Sequence, residues 1–251
     1  MSAVHGGAEA LAQRLLGELQ SRANPENVAG MGRFGISTLG TLGVTMPEVR
    51  GLARDAKREL GRDPELNHQL AAILWGSGVH EARIMATVID APSLVTRAQA
   101  ESWVLDVDSW DTCDQLCGNL LWQSIFAWEL PPDWAVRNET FVKRAGFVVA
   151  AQLAVKDKPA EDSAFEPLLR LIELQAPDER NDVKKGVNWA LRQIGKRSSR
   201  CNAKAIVTAE KILDSVPARG GTPDEAAARW IARDALRELR SAAVRERLGL
   251  S

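Results

Sequence analysis

Prolines and glycine turns restrict this chain more than any other feature of its sequence. Pro25, Pro47, Pro64, Gly76-Ser77-Gly78, Pro92, Pro131-Pro132, Pro159, Pro177, Pro217 and Gly220-Gly221 divide it into segments of about 12 to 20 residues. Between these breaks apolar residues recur with the period of an α-helix, and alternating runs of Val, Ile and Thr are nearly absent. Several prolines stand just inside plausible helix starts, in Asn24-Pro25-Glu26, Met46-Pro47-Glu48, Asp63-Pro64-Glu65 and Thr222-Pro223-Asp224, where a residue without an N–H costs no hydrogen bond. The spacing predicts an all-α chain.

Paired helices recur every 35 to 45 residues or so, which points to stacked hairpins of the HEAT type. With 251 residues and 45% hydrophobic content, the chain can bury one core or a continuous solenoid core. The expected fold is an all-α HEAT-like solenoid with a concave, positively charged face. No low-complexity linker interrupts it, so one domain is expected over residues 1–251, with N-terminal helices at about 8–60 and further pairs at about 63–241. No apolar run reaches the length of roughly 20 residues that spans a membrane, and the start MSAVHGGAEALAQRL lacks the pattern of a signal peptide. Cys113, Cys117 and Cys201 are odd in number, and the first two are spaced as neighbours on one helix, which argues against a disulfide framework. A cytoplasmic monomer is expected. His5, His68 and His80 are far apart with no metal-ligand spacing, so neither metal nor cofactor is expected.

The formal net charge is −1, so affinity for a polyanion would have to come from local asymmetry. Such asymmetry exists: between Arg180 and Lys204 there are eight Lys or Arg against one acid, Asp182. Within this stretch a helix is predicted over Asp182 to Arg197. Val183, Val187, Ala190, Leu191 and Ile194 share its apolar side, and Lys185, Trp189, Arg192 and Lys196 share the other. A large aromatic ring among cations, facing away from the core, suits a ligand that is both charged and flat, which means nucleic acid. Arg197 and Arg200 extend the basic cluster.

Two other segments carry groups of interest. A helix read over Asp108 to Trp128 stacks Trp110, Asp114, Cys117 and Leu121 along one line, with Cys113, Leu116 and Leu120 widening the apolar face. Asp111 lies in the first turn, where the helix dipole alone accounts for an acid. Asp114 lies deeper and reads either as a buried partner of Arg144 or as a catalytic group. Arg144 falls within Glu139 to Val155, a segment apolar almost all round, and needs a carboxylate or a phosphate. Trp110 on its own reads as a core aromatic.

Taken together, these segments resemble the AlkD family of alkylpurine DNA glycosylases, which are HEAT-like repeat proteins. The resemblance runs over about 180 residues, through MGRFGISTLGTLGVTMPEVRGLARD, LWGSGVHEARIMA, DSWDTCDQLCGNL, VKRAGFVVAAQLA and KKGVNWALRQIGKR. It implies that Asp114 is the catalytic aspartate and that Trp110 and Trp189 cradle the deoxyribose bearing the lesion. It also implies phosphate contacts at Arg144, Arg192 and Arg50. This chain departs from the pattern at Met46, where a threonine precedes the proline in the family, and at Cys113 and Cys117.

The implied substrate is duplex DNA carrying an N3- or N7-alkylated purine, whose formal positive charge makes the base a good leaving group. A nearby carboxylate stabilises the oxocarbenium character left on the sugar, and indole faces add to that stabilisation. Cations on the basic helix would hold phosphates, giving salt-sensitive and sequence-independent affinity. The resemblance further implies that the damaged nucleotide is not flipped into a pocket. No lysine stands out as a Schiff-base nucleophile, so monofunctional hydrolysis is expected. Two other functions fit the residues: a non-catalytic solenoid that binds bent, branched or damaged DNA through its backbone, and a HEAT-type protein–protein adaptor.

Overall fold

Each proline-led start named above begins a helix. The computed structural model describes residues 2–250, with side chains from Gly7 onward, so the side chain of His5 lies outside the described residues. Fourteen α-helices and no strands occur among these residues. In the first half they are α1 (Ser2–Ser21), α2 (Pro25–Arg33), α3 (Met46–Glu59), α4 (Pro64–Gly76), α5 (His80–Ile89), α6 (Arg97–Leu105) and α7 (Trp110–Asn119). In the second half they are α8 (Leu130–Trp134), α9 (Thr140–Lys156), α10 (Glu166–Gln175), α11 (Asn181–Gly195), α12 (Ser199–Asp214), α13 (Pro223–Leu239) and α14 (Ala242–Arg247). Asn24 Oδ1 accepts from the N–H groups of Glu26 and Asn27, and Asp63 Oδ1 does the same for Glu65 and Leu66. Thr222 and Glu225 close a reciprocal capping box on α13.

The chain packs as two compact units, one ending at Ile125 and the other beginning at Phe126. In the first, α4 lies between α1 and α5, and α3, α5 and α7 follow one another in contact. Its core includes Leu15, Leu70, Leu74 and Met85, and Trp75 stacks on Trp103 with ring centroids 4.2 Å apart. In the second, α9 lies along α11 and α11 along α13, while α8, α10 and α12 pack on the other side of that row. Each unit thus has a row formed by alternate helices, and the helices bearing Trp110 and Asp114, Arg144, and Trp189 belong to these rows.

The helix read through Asp108 to Trp128 is shorter than expected. It ends at Asn119, after Gly118, and Leu121 lies in a separate 3-10 turn, Leu121–Gln123. Trp110, Asp114 and Cys117 therefore share a helical line, and Leu121 does not. Asn119 is the last residue of the helix, and its side-chain amide donates to Thr87 Oγ1 and Gln115 Oε1. By contrast α9 is buried as its composition predicts, with every residue from Val142 to Ala151 in the interior. Gly146 lets it approach α8, since a Cβ there would meet Ala135 N at 2.8 Å.

Candidate nucleic-acid interface

In the first unit the functional groups depend on the first turn of α5. Glu81 is buried, and its carboxylate accepts from the backbone N–H groups of Leu42, Gly43 and Val44. His80 N donates to Gly40 O. These bonds fix the loop between α2 and α3. Gly43 adopts φ +79°, and a Cβ there would lie 2.2 Å from Asn24 O, so the loop cannot take its path with a larger residue. At the start of this loop the carbonyl of Phe34 accepts the indole N–H of Trp110 at 3.1 Å. Trp110 is thereby held at the first position of α7, partly exposed, with Asp114 one turn further on and also partly exposed. Arg50 is exposed on α3.

A second set of bonds holds α7 itself. His80, nearly buried, places Nε2 at 2.9 Å from Asp111 Oδ2 and Nδ1 at 3.3 Å from the Thr112 hydroxyl, and Ser109 Oγ donates to Asp111 Oδ1. Asp111 is thus more than the dipole-complementing acid its position suggested. Burial alone would lower the His80 pKa, but the hydrogen bond and charge of Asp111, with the charges of Glu81 and Asp108, outweigh it and leave the imidazole above its ordinary value of 6.5. Burial likewise pushes Asp111 up, and His80, the Ser109 hydroxyl and the Thr112 N–H bring it below 3.8. The stabilisation due to His80 is therefore fully present below pH 6.5 and fades as pH rises through its raised folded value. That due to Asp111 is present above 3.8 and fades as pH falls through its lowered one. The melting-temperature gap between the native chain and His80→Gln should accordingly be widest between about pH 4.5 and 6.5 and shrink above that range. A pH-independent gap in thermal melts would remove the charged pair from the account.

In the second unit α11 has the expected two sides. Val183, Val187, Ala190, Leu191 and Ile194 are fully buried, Trp189 is partly exposed and Lys185 is exposed. The basic side is less free than its sequence implies. Arg192 Nε bonds to Glu238 and its NH1 lies 3.4 Å from Asp234 Oδ2, while Lys196 Nζ reaches Glu238 Oε1 at 2.6 Å. Glu238 tends upward through burial, but these two cations hold it below its ordinary value. Much of the local excess of cations is thus balanced by carboxylates of α13.

Two arginines expected at phosphates have internal duties. Arg197, with a side chain 7% exposed, donates to the carbonyls of Ala154, Asp157, Lys158 and Ala160 and lies 3.3 Å from Asp162 Oδ1. It closes the C-terminal end of α9, and this corrects its assignment as a DNA contact. Arg144 is 5% exposed and donates from NH1 to Asp182 O at 2.7 Å, joining α9 to the first turn of α11. Arg144→Ala should lower the melting temperature by about 5 °C, since hydrogen bonds from charged groups contribute about 1.5 to 3 kcal/mol. Weakened DNA binding with an unchanged melting temperature would return Arg144 to the phosphate role. Arg200 keeps a largely exposed side chain, 3.5 Å from Glu166.

Sequence reasoning missed Glu81, His80 and Asp234. An acid in the first turn of a helix carries a ready dipole explanation, which hides a buried role, and Asp234 reads as the local partner of Arg237 three residues on, which hides its bonds to Asn188 and Arg192 more than 40 residues away. Among the described residues no cluster of His, Cys, Asp and Glu could hold a metal ion.

These features define an all-helical repeat protein in which one row helix carries an indole and a carboxylate a turn apart and another carries an indole beside cations. The chain belongs to the DNA alkylation repair enzyme family, whose model matches residues 15–239. Its fold is similar to a solved structure described as one of a new family of proteins related to the HEAT-like repeat DNA glycosylases with affinity for branched DNA structures. The TM-score is 0.65 at 17% identity, over 89% of this chain and 95% of that one. No curated protein matches the chain.

Proposed function

We propose that the chain is a monofunctional DNA glycosylase that hydrolyses the N-glycosidic bond of N3- or N7-alkylated purines in duplex DNA. The observation that carries this reading is α7, where Trp110 and Asp114 stand one turn apart and partly exposed, with the indole fixed through Phe34 O. Membership of the DNA alkylation repair enzyme family supports it.

In the proposed reaction the C1′–N bond breaks and its electron pair passes to the base, cancelling the positive charge that alkylation placed there. Asp114 stabilises the cationic sugar and orients a water that adds to C1′, and the proton of that water passes to the carboxylate and then to solvent. The products are a neutral free base and an abasic site. Trp110 and Trp189 contribute their ring faces, each by about 0.5 to 2 kcal/mol. Arg50, Lys185 and Arg200 hold phosphates, whereas Arg192 and Lys196, engaged by Glu238, contribute only the positive potential of their side of α11. The test is release of 7-methylguanine from methylated duplex DNA by the full chain.

A second reading, non-catalytic binding of branched DNA, is favoured by the affinity reported for the structural neighbour. Binding to branched DNA without release of any methylated base would establish it in place of the first.

A further inference from the structure

The side-chain pattern of α11 occurs again one helical pair later. Trp189, Arg192 and Lys196 stand at positions i, i+3 and i+7, and Trp230, Arg233 and Arg237 repeat that spacing on α13. Three and seven residues are close to whole turns, so in each helix the ring and both cations form one line. The two helices are in contact, and their seam is closed by Asn188 and Arg192 meeting Asp234 and by Arg192 and Lys196 meeting Glu238.

The surroundings of the two lines differ. On α11 the cations are taken up by carboxylates. On α13 the ring of Trp230 is 41% exposed, and Arg237, although it pairs with Asp234, keeps a side chain 80% exposed. Arg233 is exposed and donates one bond, to Ala218 O. Lys184, reaching over from α11, places its ammonium 5.1 Å from the Trp230 ring centroid. Arg229 is anchored to the carbonyls of Pro217 and Gly220 and frames the edge. Together with Ala226, Asp234 and the residues just named on α13, Trp230 lines an open groove of about 330 Å³. Four cations, Lys184, Arg229, Arg233 and Arg237, stand there against Asp234.

A duplex shows an exposed indole only sugar edges and phosphates, because its base faces are already stacked. An unpaired nucleotide offers a base face and a phosphate at once, which is what a ring set among cations can use. We propose that the Trp230 groove is a second nucleic-acid contact, which stacks a base of an unpaired strand on Trp230 while Lys184, Arg233 and Arg237 hold the flanking phosphates. It rests on the DNA-binding reading above and makes the junction of paired and unpaired DNA the preferred ligand of this face.

The experiment is fluorescence anisotropy of the full chain with two labelled oligonucleotides at one salt concentration, a blunt duplex and the same duplex ending in two unpaired arms. The native chain should bind the forked form about tenfold more tightly. Trp230→Ala should abolish that preference while leaving duplex affinity, release of 7-methylguanine and the melting temperature unchanged. Trp230→Phe should retain most of the preference, and Arg233→Gln with Arg237→Gln should weaken forked binding. Equal loss for duplex and fork, or no change for either, would overturn the proposal and leave the patch to paired DNA or to a protein partner respectively. No preference in the native chain would overturn it as well. Failure of the native chain to bind either DNA would overturn the DNA-binding reading itself.

Discussion

Asp114→Asn should lower the release of 7-methylguanine by a factor on the order of 10² to 10³, the usual effect of removing one charge-stabilising group from a reaction centre. The substitution keeps the shape of the side chain and most of its hydrogen-bonding capacity, so far-ultraviolet circular dichroism and the melting temperature should stay close to native. What it removes is the negative charge opposite the developing oxocarbenium ion. Binding to duplex DNA should hardly weaken and could tighten, since a carboxylate repels phosphates. Release at the native rate by Asp114→Asn would exclude a catalytic role for this residue, and with it the proposed mechanism.

The second large effect is expected in the loop between α2 and α3. Glu81→Ala strips three backbone N–H groups, those of Leu42, Gly43 and Val44, of their acceptor in a region from which water is largely excluded. Leaving buried donors unpaired costs about 1 to 3 kcal/mol each, so a loss of at least about 3 kcal/mol and a fall of roughly 10 °C in melting temperature are expected. Glu81→Gln keeps one carbonyl oxygen for Gly43 and Val44 and should recover part of the loss. Because the same loop supplies the Phe34 carbonyl that holds the Trp110 indole, Glu81→Ala should also depress base release at temperatures where the chain is still folded. A melting temperature within 2 °C or so of native would show that the loop finds other partners.

Much of the helical framework is legible in the sequence because its punctuation is local. Asn24, Asp63 and Thr222 cap helices through residues two or three positions away, and a proline just after each marks the start. The apolar stripe of α11 and the shared line of Trp110 and Asp114 also follow from periodicity alone. Periodicity assigns faces but not partners. The basic side of α11 is visible as a face, and nothing near it announces that Arg192 and Lys196 meet Asp234 and Glu238 of α13. Arg197 reads as one more member of a basic run until its guanidinium is found among the carbonyls at the end of α9. Periodicity overruns the end of α7 because Leu120 and Leu121 remain apolar and buried after the helix stops, so the hydrophobic pattern continues where the backbone hydrogen bonding does not.

The buried cysteines have a further consequence. Reaction of a protein with a methylating agent proceeds through the thiolate, and it needs both access and a low thiol pKa. Cys113 and Cys117 are fully buried on α7, the helix that carries Asp114, and Cys201 is nearly so, with burial pushing its thiol upward. The electrophiles that would create the proposed substrates in DNA therefore meet no exposed cysteine thiol among the described residues.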